Sequence, residues 1–414
     1  MSRPERLRRT VGLGLAAAAL ACSAARAEDD DKKGLFGDPV ALAPFTLTVG
    51  ETGGYTEMTG IAERADGGYW VTGYAEDGVT GAGAGLLLRV DRDGAIAARH
   101  EIVLDGRVTQ FWWPVPLDDG GVLVAVSLDP YVDMRDGGLA IVDDSGAVTA
   151  RVTLAELGYP GGSVTHVAAL PDGGFAMTGT VAVTPETDQA MVARVGADLA
   201  LRWLATEAAR ERDHTLAAYI SAVLADGSTV AIGSSSDEYF EKSIGWIARF
   251  DENGSVSWRQ WLTGGLLSLP RSGVTIYGNW VAATPDGGAV YVASRHDLQG
   301  FAESSLLGWL DADGRVVETS QTAVEAGFYA LDVADNGDIL LGGETVGDQP
   351  VPILARLQPD GTVRWAQPLT DLPGGFVWSV VEASDGSLLA TGAATPGADT
   401  LGWIVRVGAD GSRS

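Results

Sequence analysis

The chain has 414 residues, 46% of them hydrophobic and 20% charged, with a formal net charge of −27. That apolar fraction supports a buried core and excludes a disordered chain, and the acidity excludes nucleic acid and anionic membranes as partners. Glycine reaches 56 residues without a Gly-X-Y period, which excludes a collagen-like rod and points to many tight turns between short strands.

Residues 1–27 read as a signal peptide. Arg3, Arg6, Arg8 and Arg9 make a basic start, Val11 to Ala21 an apolar run, and Ala25-Arg26-Ala27 a small-x-small cleavage site. The run is about half of what spans a bilayer as a helix, and no later run is long enough. Arg8-Arg9 fits a twin-arginine signal except at Gly12, where a bulky apolar residue is usual. Cys22, the one cysteine, follows a lipobox whose leucine is one place late, so soluble release after Ala27 is the preferred reading over a lipid anchor. Release removes five Arg and one Glu, taking the net charge from −27 to −31, and leaves no thiol or disulfide chemistry. Residues 28–37 read as a charged lead-in, and 38–414 as one domain.

Seven imperfect repeats fill that domain. The first phrase of each is an apolar strand, an Asp-Gly type turn and a second strand, with turn residues Asp66, Asp119, Asp172, Asp226, Asp286, Asn336 and Asp385. A small residue stands seven places later in six of them (Gly73, Gly179, Gly233, Ala293, Gly343 and Gly392), and Val126 takes that place in the other. A second phrase carries another tight turn at Gly94, Gly146, Gly254, Gly314, Gly361 and Gly411, with Leu199 as the exception. Asp-Gly and Asn-Gly suit hairpins because they tolerate positive φ. Two hairpins per repeat give four strands, so the expected fold is an all-β, seven-bladed β-propeller of four-stranded blades. The last repeat lacks its outermost strand. The segment from Ala43 to Gly50 is expected to supply it and close the ring.

These residues resemble secreted bacterial propellers built from Asp-Gly repeats, over nearly the whole mature chain. A more distant resemblance, through LARLQPDGTVRW, is to the PQQ-dependent quinoproteins. It implies a tryptophan-docking contact at Trp203, Trp258 and Trp365, but the vicinal cysteines of those dehydrogenases are absent. Arg89, Arg194, Arg249, Arg356 and Arg406 recur five places before the second turn and read as packing between blades. Asp91, Asp251 and Asp311 open loops that look like calcium loops but lack the distal Glu, so turn chemistry accounts for them.

Departures from the repeat locate the candidate site. Both tight turns fall on one face of the disc, leaving the long connections on the other, around the channel. Trp112, Trp113, Tyr219, Trp280, Tyr329 and Trp378 stand where strands leave that mouth and are the candidate ligand-binding residues. Asp129, Asp133 and Asp136 in one connection are candidate ligands for calcium, the single cofactor considered. His166, Arg295, His296 and Asp297 are the candidate acid–base residues. No nucleophile elbow, Walker loop, dinucleotide fingerprint or zinc spacing occurs. The preferred function is a secreted or periplasmic, monomeric binding or scaffold protein for an unidentified ligand or protein. The alternative is a secreted hydrolase or lyase acting on polysaccharide or a small ester, with or without calcium.

Overall fold

A computed structural model describes residues 42–50, 53–129, 136–182, 188–209, 215–236, 243–262, 275–296, 302–347, 349–395 and 399–413. Its 28 strands are all β, and no helix occurs among the described residues. Strand β1 (Phe45–Val49) is followed by β2 (Tyr55–Glu63), β3 (Tyr69–Glu76), β4 (Gly83–Val90) and β5 (Ile96–Ile102). Next come β6 (Thr109–Pro116), β7 (Val122–Leu128), β8 (Asp136–Val142) and β9 (Val148–Thr153), then β10 (Gly162–Ala169), β11 (Phe175–Ala182), β12 (Asp188–Val195) and β13 (Leu201–Glu207). The middle of the chain gives β14 (Thr215–Val223), β15 (Thr229–Ser236), β16 (Ser243–Phe250) and β17 (Val256–Leu262), then β18 (Thr275–Ala283), β19 (Ala289–His296), β20 (Ala302–Leu310) and β21 (Val316–Gln321). The last strands are β22 (Ala326–Val333), β23 (Ile339–Thr345), β24 (Pro352–Leu357) and β25 (Val363–Pro368), then β26 (Phe376–Glu382), β27 (Leu388–Ala394) and β28 (Leu401–Val407).

These strands form five four-stranded antiparallel sheets and one eight-stranded sheet, in which β6–β9 and β10–β13 are joined by a single parallel pair, Asp136 with Gly162. The equivalent parallel bridge, Tyr55 with Thr400, links the first sheet to the last. The first strand of each four-stranded unit packs on the first strand of the next, and β26 packs on β2. β1 pairs antiparallel with β28 in full register from Phe45–Arg406 to Val49–Gly402, so the N-terminal segment does complete the last sheet. This is β-propeller architecture, with first strands buried and outer strands alternately exposed.

The Asp-Gly signal has a direct cause. Every first-turn Asp, and Asn336, accepts the backbone N–H two residues on with its side-chain oxygen, and the following Gly takes positive φ. Asp91 and Asp251 do the same in second turns, so these are turns in structure as in sequence. Leu199 holds φ 61 without being Gly because its side chain is buried in the core.

Each first strand carries one β-bulge halfway along. A bulge swings the local carbonyl toward the neighbouring strand. That explains the small residues seven places after the turn: a Cβ on Gly73, Gly179, Gly233, Gly343 or Gly392 would lie 2.2 Å or less from the carbonyl oxygen two residues before the bulge. In β6 the bulge falls one residue later, at Trp113, and there Val126 fits.

Adjacent sheets are held at the turn face by the repeated arginines. Arg406 pairs with Asp385 and reaches across to the Tyr69 hydroxyl and the Arg92 carbonyl. Arg356 pairs with Asp338 in its own unit and Glu382 in the next. Arg249 reaches the Asp313 carbonyl, and Arg89 reaches Asp144. Indoles add a second latch. Trp203, Trp309 and Trp365 donate to the Glu252, Pro359 and Ala409 carbonyls of the following unit at 2.7, 2.9 and 3.0 Å. They cover its turn glycines Gly254, Gly361 and Gly411, while Phe45 covers Gly94 and His100 covers Gly146. Trp309 comes from a third strand, where five other units place Arg, which is why the repeat did not reveal it.

Candidate functional site

The bulges bring first-strand side chains together at the axis. Trp113 of β6 and Trp280 of β18, from sheets that are not neighbours, lie 5.6 Å apart between ring centroids. Trp112 meets Trp378 of β26 edge-on at 6.0 Å, and Trp113 meets His166 of β10 at 5.4 Å. All six aromatic candidates are buried, so they form an axial plug and do not stand open at a mouth. Tyr329 donates to Glu344 at 2.5 Å, and burial, then repulsion from Glu344, hold its phenol well above the usual range. Burial, then Tyr277, push the Tyr219 phenol up as well. The Trp280 indole N–H and the hydroxyls of Ser379 and Thr391 are buried without a hydrogen-bond partner, and the Trp378 indole has none but the nearby Glu57 carboxyl.

Above the plug, toward the long connections, the strand ends turn polar. Ser163, Ser234, Ser236, Ser243, Ser294 and Ser305 are all buried there, with Ser236 and Ser243 bonded at 2.7 Å. The sharpest feature is Glu57, 3% exposed near the start of β2. It accepts the Tyr55 hydroxyl at 2.8 Å and the Gln110 amide of the next unit at 2.5 Å. Burial pushes its carboxyl up to about 7, with Tyr55 and the nearby Trp378 side chain pulling the other way. Glu344 is raised by burial too. Sequence reasoning missed both. The available signal was that Glu57 and Gln110 stand nine places before the first turn in consecutive repeats.

The remaining candidates fall in different places. His166 is fully buried in the plug, with the Ser221 backbone N–H and hydroxyl each 3.4 Å from Nδ1. Arg295 and His296 end β19, in another sheet, and Asp297 lies outside the described residues. Asp129 and Asp136 are brought together, but around a guanidinium: Arg107 pairs with both. Asp129 also accepts the Val108 N–H. Asp133 lies outside the described residues, and among the described residues no group of three or more His, Cys, Asp or Glu is placed to hold a metal ion.

Comparison with known proteins found no match to a family model and none among curated protein sequences. Solved structures do match. A streptogramin B lyase aligns over 87% of this chain and 97% of its own, with 13% identity and a TM-score of 0.52. A protein of unknown function from Dyadobacter fermentans aligns over 87% and 97%, with 11% identity and a TM-score of 0.51. YCF48 bound to D1 peptide aligns over 89% and 96%, with 13% identity and a TM-score of 0.50. At these identities the likeness establishes the β-propeller fold and nothing about activity.

Proposed function

We propose that this chain is an exported, seven-bladed binding propeller of the secreted Asp-Gly-repeat kind, closed by its N-terminal strand, whose ligand sits at the mouth bearing the long connections. The seven blades rest on 28 strands in units of four and on two equivalent parallel bridges, one of which fuses two units into the eight-stranded sheet. Export rests on the segment from Met1 to Ala27. The observation that carries the binding site is the set of buried polar groups at the strand ends that face the long connections. The axis is filled by aromatic rings, while Glu57, Gln110 and the buried serines gather at one end only. Polar groups grouped over an apolar floor are what a small-molecule or peptide site requires. A fold neighbour recorded with a bound peptide uses the same architecture.

The test is a thermal-shift screen of the mature protein against oligosaccharides, peptides, small esters and calcium. A compound that binds the folded state at a hundredfold excess over its Kd stabilises it by about 2.7 kcal/mol. The shift is expected to disappear in Gln110→Ala at the mouth and to persist in Asp360→Ala on the turn face. The reverse pattern contradicts the assignment. A second reading, a hydrolase or lyase at the same mouth, draws support from Glu57. A carboxyl held near 7 is suited to general acid–base work at neutral pH. It predicts turnover of an ester or glycoside that is lost in Glu57→Gln.

A further inference from the structure

Resting on the binding reading, we propose that the side chains gathered at the starts of β2, β6 and β26 recognise an organic ammonium group that carries an adjacent carbonyl, as at the amino end of a peptide. Glu57 is its counter-charge, and Tyr55, Phe376 and Trp378 are its walls.

The first argument is a contrast within the molecule. Three buried carboxylates on the turn face are paired with guanidinium groups. Asp338 has Arg356 at 2.8 Å and Arg364 at 2.9 Å, Glu382 has Arg356 at 3.0 Å, and Asp385 has Arg406 at 2.5 Å. Glu57 is as buried as these, yet both of its hydrogen-bond donors are neutral, and no cation of the described residues pairs with it. A buried carboxylate with neutral donors alone is the arrangement that a ligand cation completes.

The second argument is the surroundings. Phe376 and Trp378 lie 4.9 Å apart at 80°, Trp378 contacts Trp112, and Tyr55 lies 6.0 Å from Tyr74. Aromatic faces around a carboxylate bind ammonium groups through their quadrupoles as well as through charge. The third is the Trp378 indole. Its buried N–H faces the Glu57 carboxyl and has no other partner. A cation that engages Glu57 leaves that donor in need of an acceptor. A lone cation offers none, whereas an ammonium beside a carbonyl offers both.

The test is calorimetric titration of the full mature chain with N,N,N-trimethyl-phenylalaninamide, which is permanently charged, and with its neutral N-acetyl counterpart. The charged probe is expected to bind at pH 8, with the acetylated probe and the Glu57→Gln variant each at least about tenfold weaker. Protonation of Glu57 then weakens the charged probe by up to roughly tenfold per pH unit below 7. An unfolding transition of Glu57→Gln no lower than that of the parent separates lost binding from lost fold. Equal binding of the two probes, undiminished binding to Glu57→Gln, or no binding of the charged probe overturns the proposal. If another compound stabilises the wild type and loses its effect in Gln110→Ala, the ammonium assignment falls while the mouth stands. If no compound depends on Gln110, both fall.

Discussion

A carboxyl group enclosed by neutral partners sits at Glu57 at the cost of stability. Its folded value is about 7 and its ordinary value 4.5. Between those pH values the folded chain holds a proton that the unfolded chain has released. The group's contribution is therefore complete below about pH 4.5 and lost as pH rises through about 7. A shift of that size corresponds to roughly 3 kcal/mol. Glu57→Gln is expected to be more stable than the parent at pH 8 by up to that amount and no different at pH 4.5. Urea unfolding at both pH values checks this, and an equal gap at both contradicts it. The turn-face carboxylates behave oppositely. Asp338 and Asp385 are held below the usual range by arginine and hydrogen bonds, despite burial, so their contribution is lost as pH falls through their folded values. A second expectation at this scale concerns Gly233, whose Cβ would stand 1.9 Å from the Ala217 carbonyl. Gly233→Val should cost about 3 kcal/mol in equilibrium unfolding. The equivalent Val126 tolerates its own bulk because the bulge beside it is displaced.

Single elements show how much was legible in the residues. The turns, the four-strand units and the strand that completes the last sheet were readable, because Asp-Gly chemistry is local and β1 was an apolar segment without a repeat of its own. The bulge was not readable. It depends on how the first strands of neighbouring sheets crowd together, and no local residue type requires it. Its consequence was visible only as glycines seven places after the turn. The aromatic candidates were expected at the channel mouth, and their burial was not foreseeable, since contact between Trp113 and Trp280 joins sheets separated by more than 150 residues. Burial also changes the meaning of a mutation there. Trp280→Ala removes a fully buried side chain, so it is expected to cost about 3–5 kcal/mol and to report on folding before it reports on a ligand. The closing strand makes a cleaner element-scale test. Deleting residues 42–50 removes Val49 from the core and partly buried Phe45 and Leu47, and leaves the β28 edge open. A loss of about 4 kcal/mol is expected from the apolar area alone. An unchanged unfolding midpoint would show that β1 is dispensable.

For the whole molecule, two faces carry two kinds of chemistry. The turn face is a girdle of turn glycines, carboxylates and arginines, and the arginines that cross to the next unit hold neighbouring sheets together. The opposite mouth carries Glu57 and Glu344, whose hydrogen-bond donors are neutral, and buried hydroxyls, above an aromatic floor. The proposed function makes that second face the one presented to a ligand. Hydrogen exchange of the wild-type chain, with and without a saturating compound from the thermal screen, measures this most directly. The account predicts slower exchange at the starts of β2, β6 and β26 and at the end of β23, with the turns at 91–95 and 358–362 unchanged. Protection confined to those turns or to the outer strands would contradict it.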